Sequence, residues 1–153
     1  MTINEYIDLY LNIKGYRMRD KLYLDLCYLS AGIIYIYKRK KFVTIGQFLK
    51  KDIIVRDKNG ILYYVKAKSE GLGFVVGSIK PETRKWFNPK KGDTVVDVGV
   101  AIGKFSLFAG KMGCNVVSIE PHPITFDVLK KNIELNSFKN IKTINLAVGG
   151  EKG

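Results

Sequence analysis

The reading of this chain turns on Thr94-Val95-Val96-Asp97-Val98-Gly99-Val100-Ala101-Ile102-Gly103, followed by an apolar-periodic segment and then by Val116-Val117-Ser118-Ile119-Glu120. The first run is short and rich in β-branched residues, the pattern of a buried strand. It breaks at Gly99 and Gly103, where a backbone must take unusual angles or approach a ligand closely. Phe105, Phe108, Ala109 and Met112 then fall at i, i+3, i+4 and i+7, one face of a helix that Gly113 can close. The second apolar run ends on a carboxylate. Strand, glycine turn, helix, strand and acid make the front half of a nucleotide-binding βαβ unit.

Downstream, Pro121-His122-Pro123 opens a second helix, with Pro123 in its first turn and His122 suited to the N-cap. Phe126, Leu129 and Ile133 line its inner face, and Asp127 can pair with Lys131 at i, i+4. The helix ends near Asn136-Ser137. Ile141 to Leu146 is a third strand, with Ala147-Val148-Gly149-Gly150 as its loop. The predicted class is therefore α/β: the first half of a Rossmann-like fold, three parallel strands with two helices. A doubly wound sheet closes its cleft with a second half at the topological switch point. The expectation is thus that a longer protein, or another chain in an oligomer, supplies the opposite wall.

Upstream, Ile3, Tyr6, Ile7, Tyr10 and Leu11 predict an amphipathic helix, with Gly15 at its end. Leu22 to Tyr37 is the most apolar stretch, and Lys38-Arg39-Lys40-Lys41 follows at once. It admits three readings: a helix buried in the fold, an interfacial anchor on anionic lipid, or a membrane-spanning helix, for which it is short. Ile53-Ile54-Val55-Arg56 and Ile61-Leu62-Tyr63-Tyr64-Val65 flank Asp57-Lys58-Asn59-Gly60, a hairpin signal carried by Asn-Gly. Phe74-Val75-Val76 is expected as a further strand, and Glu82 to Phe87 as a short helix. Pro89 to Asp93 is a polar turn. The expected organisation is a basic helical segment over residues 1–50, a β-hairpin extension and linker over 51–91, and the Rossmann-like core over 92–153.

Of the net charge of +12, residues 1–91 carry +11, from 19 Lys and Arg against 8 Asp and Glu. That asymmetry favours an anionic partner such as an anionic membrane surface through residues 22–41, a phosphorylated substrate or, less readily, nucleic acid. A lysine-rich solvated surface is the plain alternative. Cys27 and Cys114 have no metal spacing and read as free buried thiols in a reducing compartment. A single histidine rules out a site built on histidine ligands. No secretory signal fits the N-terminus, so a cytoplasmic chain, in contact with a membrane at most, is expected.

Asp97 stands where dinucleotide-binding strands are normally apolar. A buried carboxylate needs a partner, and the amino group of S-adenosylmethionine would provide one. The glycine turn and following helix N-terminus can receive that molecule's carboxylate, and Glu120 offers two oxygens to its ribose hydroxyls. Pro121 and Leu146-Ala147 can flank its adenine. Taken singly, Asp97 reads as a loop cap and Glu120 as a solvent-facing strand end. Their joint spacing points to the cofactor.

The same segments, Gly92 to Gly99, Ile102-Gly103, Glu120-Pro121-His122-Pro123 with Phe126, Leu129, Asn132 and Asn136, and Ala147-Val148-Gly149, resemble FkbM-type methyltransferases over residues 88 to 153. The resemblance implies an S-adenosylmethionine-dependent enzyme acting on a hydroxyl oxygen of a sugar or secondary metabolite, with a small-molecule or glycan acceptor. It implies that Asp97, Gly99 and Gly103 take the methionine end and Glu120 the ribose; Ala101, between the two glycines, is a further candidate for contact with the cofactor. Val100-Ala101 replaces the family's Ala-Asn, and the family's later Asp-x-Glu-Gly element does not occur before Gly153, so no catalytic residue is assigned. Two other functions compete. One is a non-catalytic module binding nucleic acid or membrane through tyrosines interleaved with Arg17, Arg19 and Lys38 to Lys41. The other is a nicotinamide-dependent oxidoreductase, against which Asp97 argues.

Overall fold

The computed structural model describes residues 7, 10–37, 45–69, 71–76 and 85–150. They belong to two compact units, Met1–Ser78 and Ile79–Gly153.

The first unit is built on a three-stranded antiparallel sheet. Strand β1 (Lys14–Gly15) pairs with β2 (Ile53–Arg56), which pairs with β3 (Leu62–Val65). The hairpin forms as its sequence predicts, but by a different device. Only Gly60 takes a positive φ; Asp57 makes the turn instead, its Oδ1 accepting from the backbone N–H groups of Asn59 and Ile61, both at 2.9 Å. Helix α1 (Met18–Tyr37) buries Leu24, Cys27, Tyr28 and Ala31. Its first turn is tied down by the buried Asp20, which accepts from Ile54 N–H at 3.4 Å and pairs with Arg19 at 3.4 Å. These contacts, with the β1–β2 pairing, join into one unit the segments that the sequence reading separates at residue 50.

Three sequence expectations change here. The chain leaves helix at Ile13, before Gly15, and Ile7, Tyr10 and Leu11 are exposed; the remainder of the expected N-terminal helix lies outside the described residues. Residues Gly71–Val76 form helix α2 and not a strand. Leu72 and Val75, at i and i+3, are both buried, and Ser69 Oγ accepts from Gly71 N–H at 3.2 Å. Burial at helical spacing outweighs the strand preference of the valines. Of the expected helix over 82–87, residues 85 and 86 are helical and 82–84 lie outside the described residues. Among the described residues, no helix is long and apolar enough to cross a membrane.

The second unit holds a parallel sheet in the order β4 (Thr94–Val98), β5 (Asn115–Ile119), β6 (Ile141–Ile144), with α3 (Lys104–Lys111) and α4 (Pro123–Leu135) as crossovers. This is the predicted three-stranded half of a Rossmann-like fold. Helix α3 turns a different face inward from the one its periodicity suggests: Ser106, Leu107, Ala109 and Gly110 are buried, while Met112 is exposed. Gly110 allows the close approach, since a Cβ there would stand 2.6 Å from Ile141 Cδ1. Phe105 and Phe108 pack instead on Phe87, with ring centroids 5.2 and 6.4 Å away. In α4, His122 is the N-cap as expected, Leu129 and Ile133 are buried, and Asp127 pairs with Lys130 at 2.8 Å, one residue short of the expected Lys131.

Cys27 and Cys114 are both free and buried, and burial pushes both thiols above the usual range. The folded protein is therefore expected to react slowly with a disulfide reagent at pH 8, and to release two equivalents at once in guanidinium. Rapid labelling of either thiol in the native state would contradict this packing.

Candidate functional site

The site lies at the carboxyl-terminal edge of the parallel sheet. Strand β4 runs into a turn in which three residues take left-handed conformations: Gly99 (φ 74), Ala101 (φ 51) and Gly103 (φ 97). The turn is fastened to the end of β5. Gly99 and Val100 donate to the Ile119 carbonyl at 2.9 and 3.3 Å. Ala101 N–H donates to Glu120 Oε2 at 2.8 Å, and His122 N–H to Glu120 Oε1 at 3.0 Å. The buried Glu120 carboxylate thus holds two backbone donors, one from the turn and one from the entry to α4. An ionised carboxylate has about four acceptor positions, so each oxygen keeps one for a further donor.

The end of β6 is tied in as well. Glu120 N–H donates to the Ile144 carbonyl at 3.1 Å, and Asn145 Nδ2 donates to the carbonyls of Glu120 (2.7 Å) and Pro121 (3.1 Å). Ala147, Leu146 and Pro121 are exposed along this edge. Beneath the turn, Asn132 is fully buried in α4 and donates to the Ile102 carbonyl at 2.9 Å.

Asp97 is half-buried near the end of β4, in register with Ser118 of β5. The side chains of Asp97, Ser118 and Glu120 leave the sheet on one face, because they share parity on paired parallel strands. Ser118 Oγ donates to Ser106 Oγ at 2.8 Å, and Ser106 Oγ donates to Asp97 Oδ2 at 2.7 Å. This relay, from strand to helix to strand, fixes the Asp97 carboxylate and leaves acceptor positions open. Sequence reading missed Ser106, Ser118 and Asn145. The visible cue for Ser118 is a hydroxyl inside an otherwise apolar strand; nothing in the helical pattern singles out Ser106.

Asp97, Gly99, Ala101, Gly103, Glu120, Pro121 and Ala147, the residues expected to hold a cofactor, therefore sit on this one edge of the sheet. Their chemistry fits S-adenosylmethionine. Two carboxylates stand at adjacent strand tips, and a Cβ built on Gly99 would meet no atom within 4 Å, so the turn opens onto free space. By contrast, a hollow bounded by Thr94, Asn115, Lys139 and Lys142 lies at the opposite end of the strands and takes in none of these residues.

A Rossmann-like half with an acid at each of two strand tips and a left-handed turn between them defines the S-adenosylmethionine-dependent methyltransferase class. Residues 54–149 match the TRM5/TYW2 methyltransferase domain, and the chain belongs to that family. A tRNA (guanine(37)-N(1))-methyltransferase of Danio rerio is 40% identical over 57 residues, covering 37% of this chain and 12% of the relative. An uncharacterised protein of Methanocaldococcus jannaschii is 40% identical over 52 residues, 34% of this chain and 20% of that one. The crystal structure of Pyrococcus horikoshii TYW2 in complex with MeSAdo is similar with a TM-score of 0.51 and 26% identity, covering 67% of this chain and 39% of that one. The chain spans 12% to 20% of the length of these curated relatives. The methyltransferase class and the cofactor class expected from sequence both stand, and the oxidoreductase alternative falls.

Two substitutions test the construction of the edge. Gly103→Ala is expected to destabilise the fold by about 1–3 kcal/mol, from the left-handed backbone and a Cβ placed 2.6 Å from Leu129 Cδ1. Ser106→Ala is expected to cost about 1–3 kcal/mol by stranding the hydroxyl of Ser118 and a lone pair of Asp97. Urea unfolding measures both; a change below about 0.5 kcal/mol in either would contradict the geometry described.

Proposed function

We propose that this chain carries the cofactor-gripping half of a TRM5/TYW2-type methyltransferase, and that its methyl acceptor is a guanosine of tRNA. The observation that carries the reading is the Glu120 carboxylate, bonded to Ala101 and His122 N–H at the strand tips with one acceptor position left on each oxygen. In this reading Glu120 accepts from the two ribose hydroxyls of the cofactor. Asp97, held by Ser106, faces the methionine ammonium. Gly99, Ala101 and Gly103 shape the turn beside the methionine end, and the N-terminus of α3 favours its carboxylate. Pro121 and Ala147 border the adenine.

Bound there, S-adenosylmethionine supplies an electrophilic methyl group on a cationic sulfur. The chain's part is to hold that methyl in line with the acceptor, which is where such transfers gain most of their rate. His122 serves as a helix cap, its ring accepting from Thr125 N–H at 3.4 Å, and is not assigned as a base.

Support for this acceptor comes from the family, from the relative named for guanine(37), and from a net charge of +12 that favours a polyanionic substrate. The sugar or metabolite hydroxyl implied by the FkbM resemblance is set aside on the same grounds: the chain matches the TRM5/TYW2 family.

Calorimetry with S-adenosylhomocysteine is the first test. The chain is expected to bind it, and Asp97→Asn and Glu120→Gln are each expected to weaken binding about tenfold or more, the loss of one charge-assisted contact. Radiolabelled methyl transfer to tRNA transcripts then tests the acceptor. Label is expected with guanosine at position 37 and not with a free sugar or nucleoside; label on a glycan instead would overturn the acceptor while leaving the cofactor site intact.

A further inference from the structure

The antiparallel sheet of the first unit turns one face inward and leaves the other open. Ile53, Val55, Tyr63 and Val65 share the inward face and are buried. The alternate residues, Lys14 on β1, Ile54 and Arg56 on β2, and Leu62 and Tyr64 on β3, share the open one. Lys14 and Arg56 are register partners, and both are exposed. Just past β1, Tyr16 N–H donates to the Ile54 carbonyl at 2.8 Å, which carries the pairing one residue further. The Tyr16 ring is 46% exposed, and Arg56 Cζ stands 4.8 Å from its centroid. Lys14 Nζ stands 4.1 Å from the Tyr10 centroid and donates to the Tyr10 carbonyl at 2.7 Å. The buried Tyr28 braces Tyr10 edge-to-face at 5.2 Å. Two cation–aromatic pairs are therefore fixed side by side across one pair of strands.

Charge and shape select the occupant. Among the described residues, neither Lys14 nor Arg56 pairs with a carboxylate. Asp52, the acid just before β2, is already engaged by the Tyr64 hydroxyl and by Ala67 N–H at 2.9 Å. The aliphatic residues of the face have little left to bury, since Ile54 is buried and Leu62 half-buried, so neither an acyl layer nor an apolar protein surface gains much here. A polyanion with flat apolar units meets both needs: phosphates face the cations, and bases lie on the rings. A duplex keeps its bases stacked on one another, so the matching form is an unpaired strand.

We propose that the open face of this sheet binds unpaired nucleotides of an RNA strand, with Tyr16 as the stacking platform for a base and Lys14 and Arg56 on its phosphates. This deepens the tRNA reading, on which the choice of RNA over DNA rests.

The test is fluorescence anisotropy of the whole chain with a labelled single-stranded RNA of about ten nucleotides, a duplex of the same sequence, and polyglutamate as competitor. The single strand is expected to bind about tenfold tighter than the duplex. Tyr16→Ala is expected to weaken single-strand binding about tenfold, and Tyr16→Phe, which keeps the ring, to leave it within about twofold. Arg56→Gln is expected to lower the salt slope of the log affinity by about 0.7, the loss of one phosphate contact. Because both side chains are exposed, the unfolding midpoint and S-adenosylhomocysteine binding of these variants should not move. Any of four results overturns the proposal: no binding of the single strand, equal affinity for the duplex, undiminished binding by Tyr16→Ala, or competition by polyglutamate as strong as by RNA. The two readings fail separately. Methyl label on a glycan, with RNA affinity still lost in Tyr16→Ala, overturns the acceptor and supports this face. Label on guanosine 37, with Tyr16→Ala binding the strand as the unaltered chain does, overturns this face and leaves the acceptor standing.

Discussion

One carboxylate holds the functional edge together. Glu120 is buried at the tip of β5, and its two oxygens reach backward to the turn after β4 and forward to the entry of α4. A buried anion of this kind is tolerable because it is hydrogen-bonded by backbone donors that would otherwise lack partners in a turn and at a helix start. Its effect is geometric. Ala101, a residue with a Cβ, is kept in a left-handed conformation that costs an L-residue about 1–2 kcal/mol, and the charge-assisted bond from its N–H helps to offset that strain. With the turn held, Gly103 is set as the first residue before α3, and the helix N-terminus faces the same edge.

The relay from Ser118 through Ser106 to Asp97 performs a second fastening below it. It explains why α3 is rotated away from its most apolar face. Two hydroxyls and a carboxylate must meet between helix and sheet, and Gly110 is small enough to let them. The aromatic residues of that helix are displaced to a neighbouring contact with Phe87. A polar requirement at the site has therefore set the orientation of an element whose hydrophobic pattern alone would place it differently.

These cases mark how far the chain could be read without coordinates. The parallel half-sheet, its crossovers, the glycine turn and the seven edge residues were legible because strand tips, glycines and acids leave local signals at fixed spacing. The hairpin was legible, but Asp57, not Asn59, makes its turn, since side-chain capping is chosen by the folded geometry. The Gly71–Val76 helix was misread because a short run with valines carries strand propensity, and only burial at i and i+3 decides otherwise. The segment Leu22 to Tyr37 held its ambiguity for a physical reason: α1 is apolar on two faces, one turned into the fold and one turned out. Within the methyltransferase class, the FkbM resemblance rests on residues 88 to 153, whereas the TRM5/TYW2 match begins at residue 54 and takes in the hairpin as well.

The most direct measurement is a two-dimensional amide spectrum of the isotope-labelled protein titrated with S-adenosylhomocysteine. Saturable shifts should gather at Asp97, Gly99 to Gly103, Glu120, His122 and Ala147, with the amides of Ala101 and His122 protected from exchange before the ligand is added. Shifts gathered elsewhere, or rapid exchange of those two amides in the free protein, would contradict the claim that the Glu120 clasp builds the cofactor's seat.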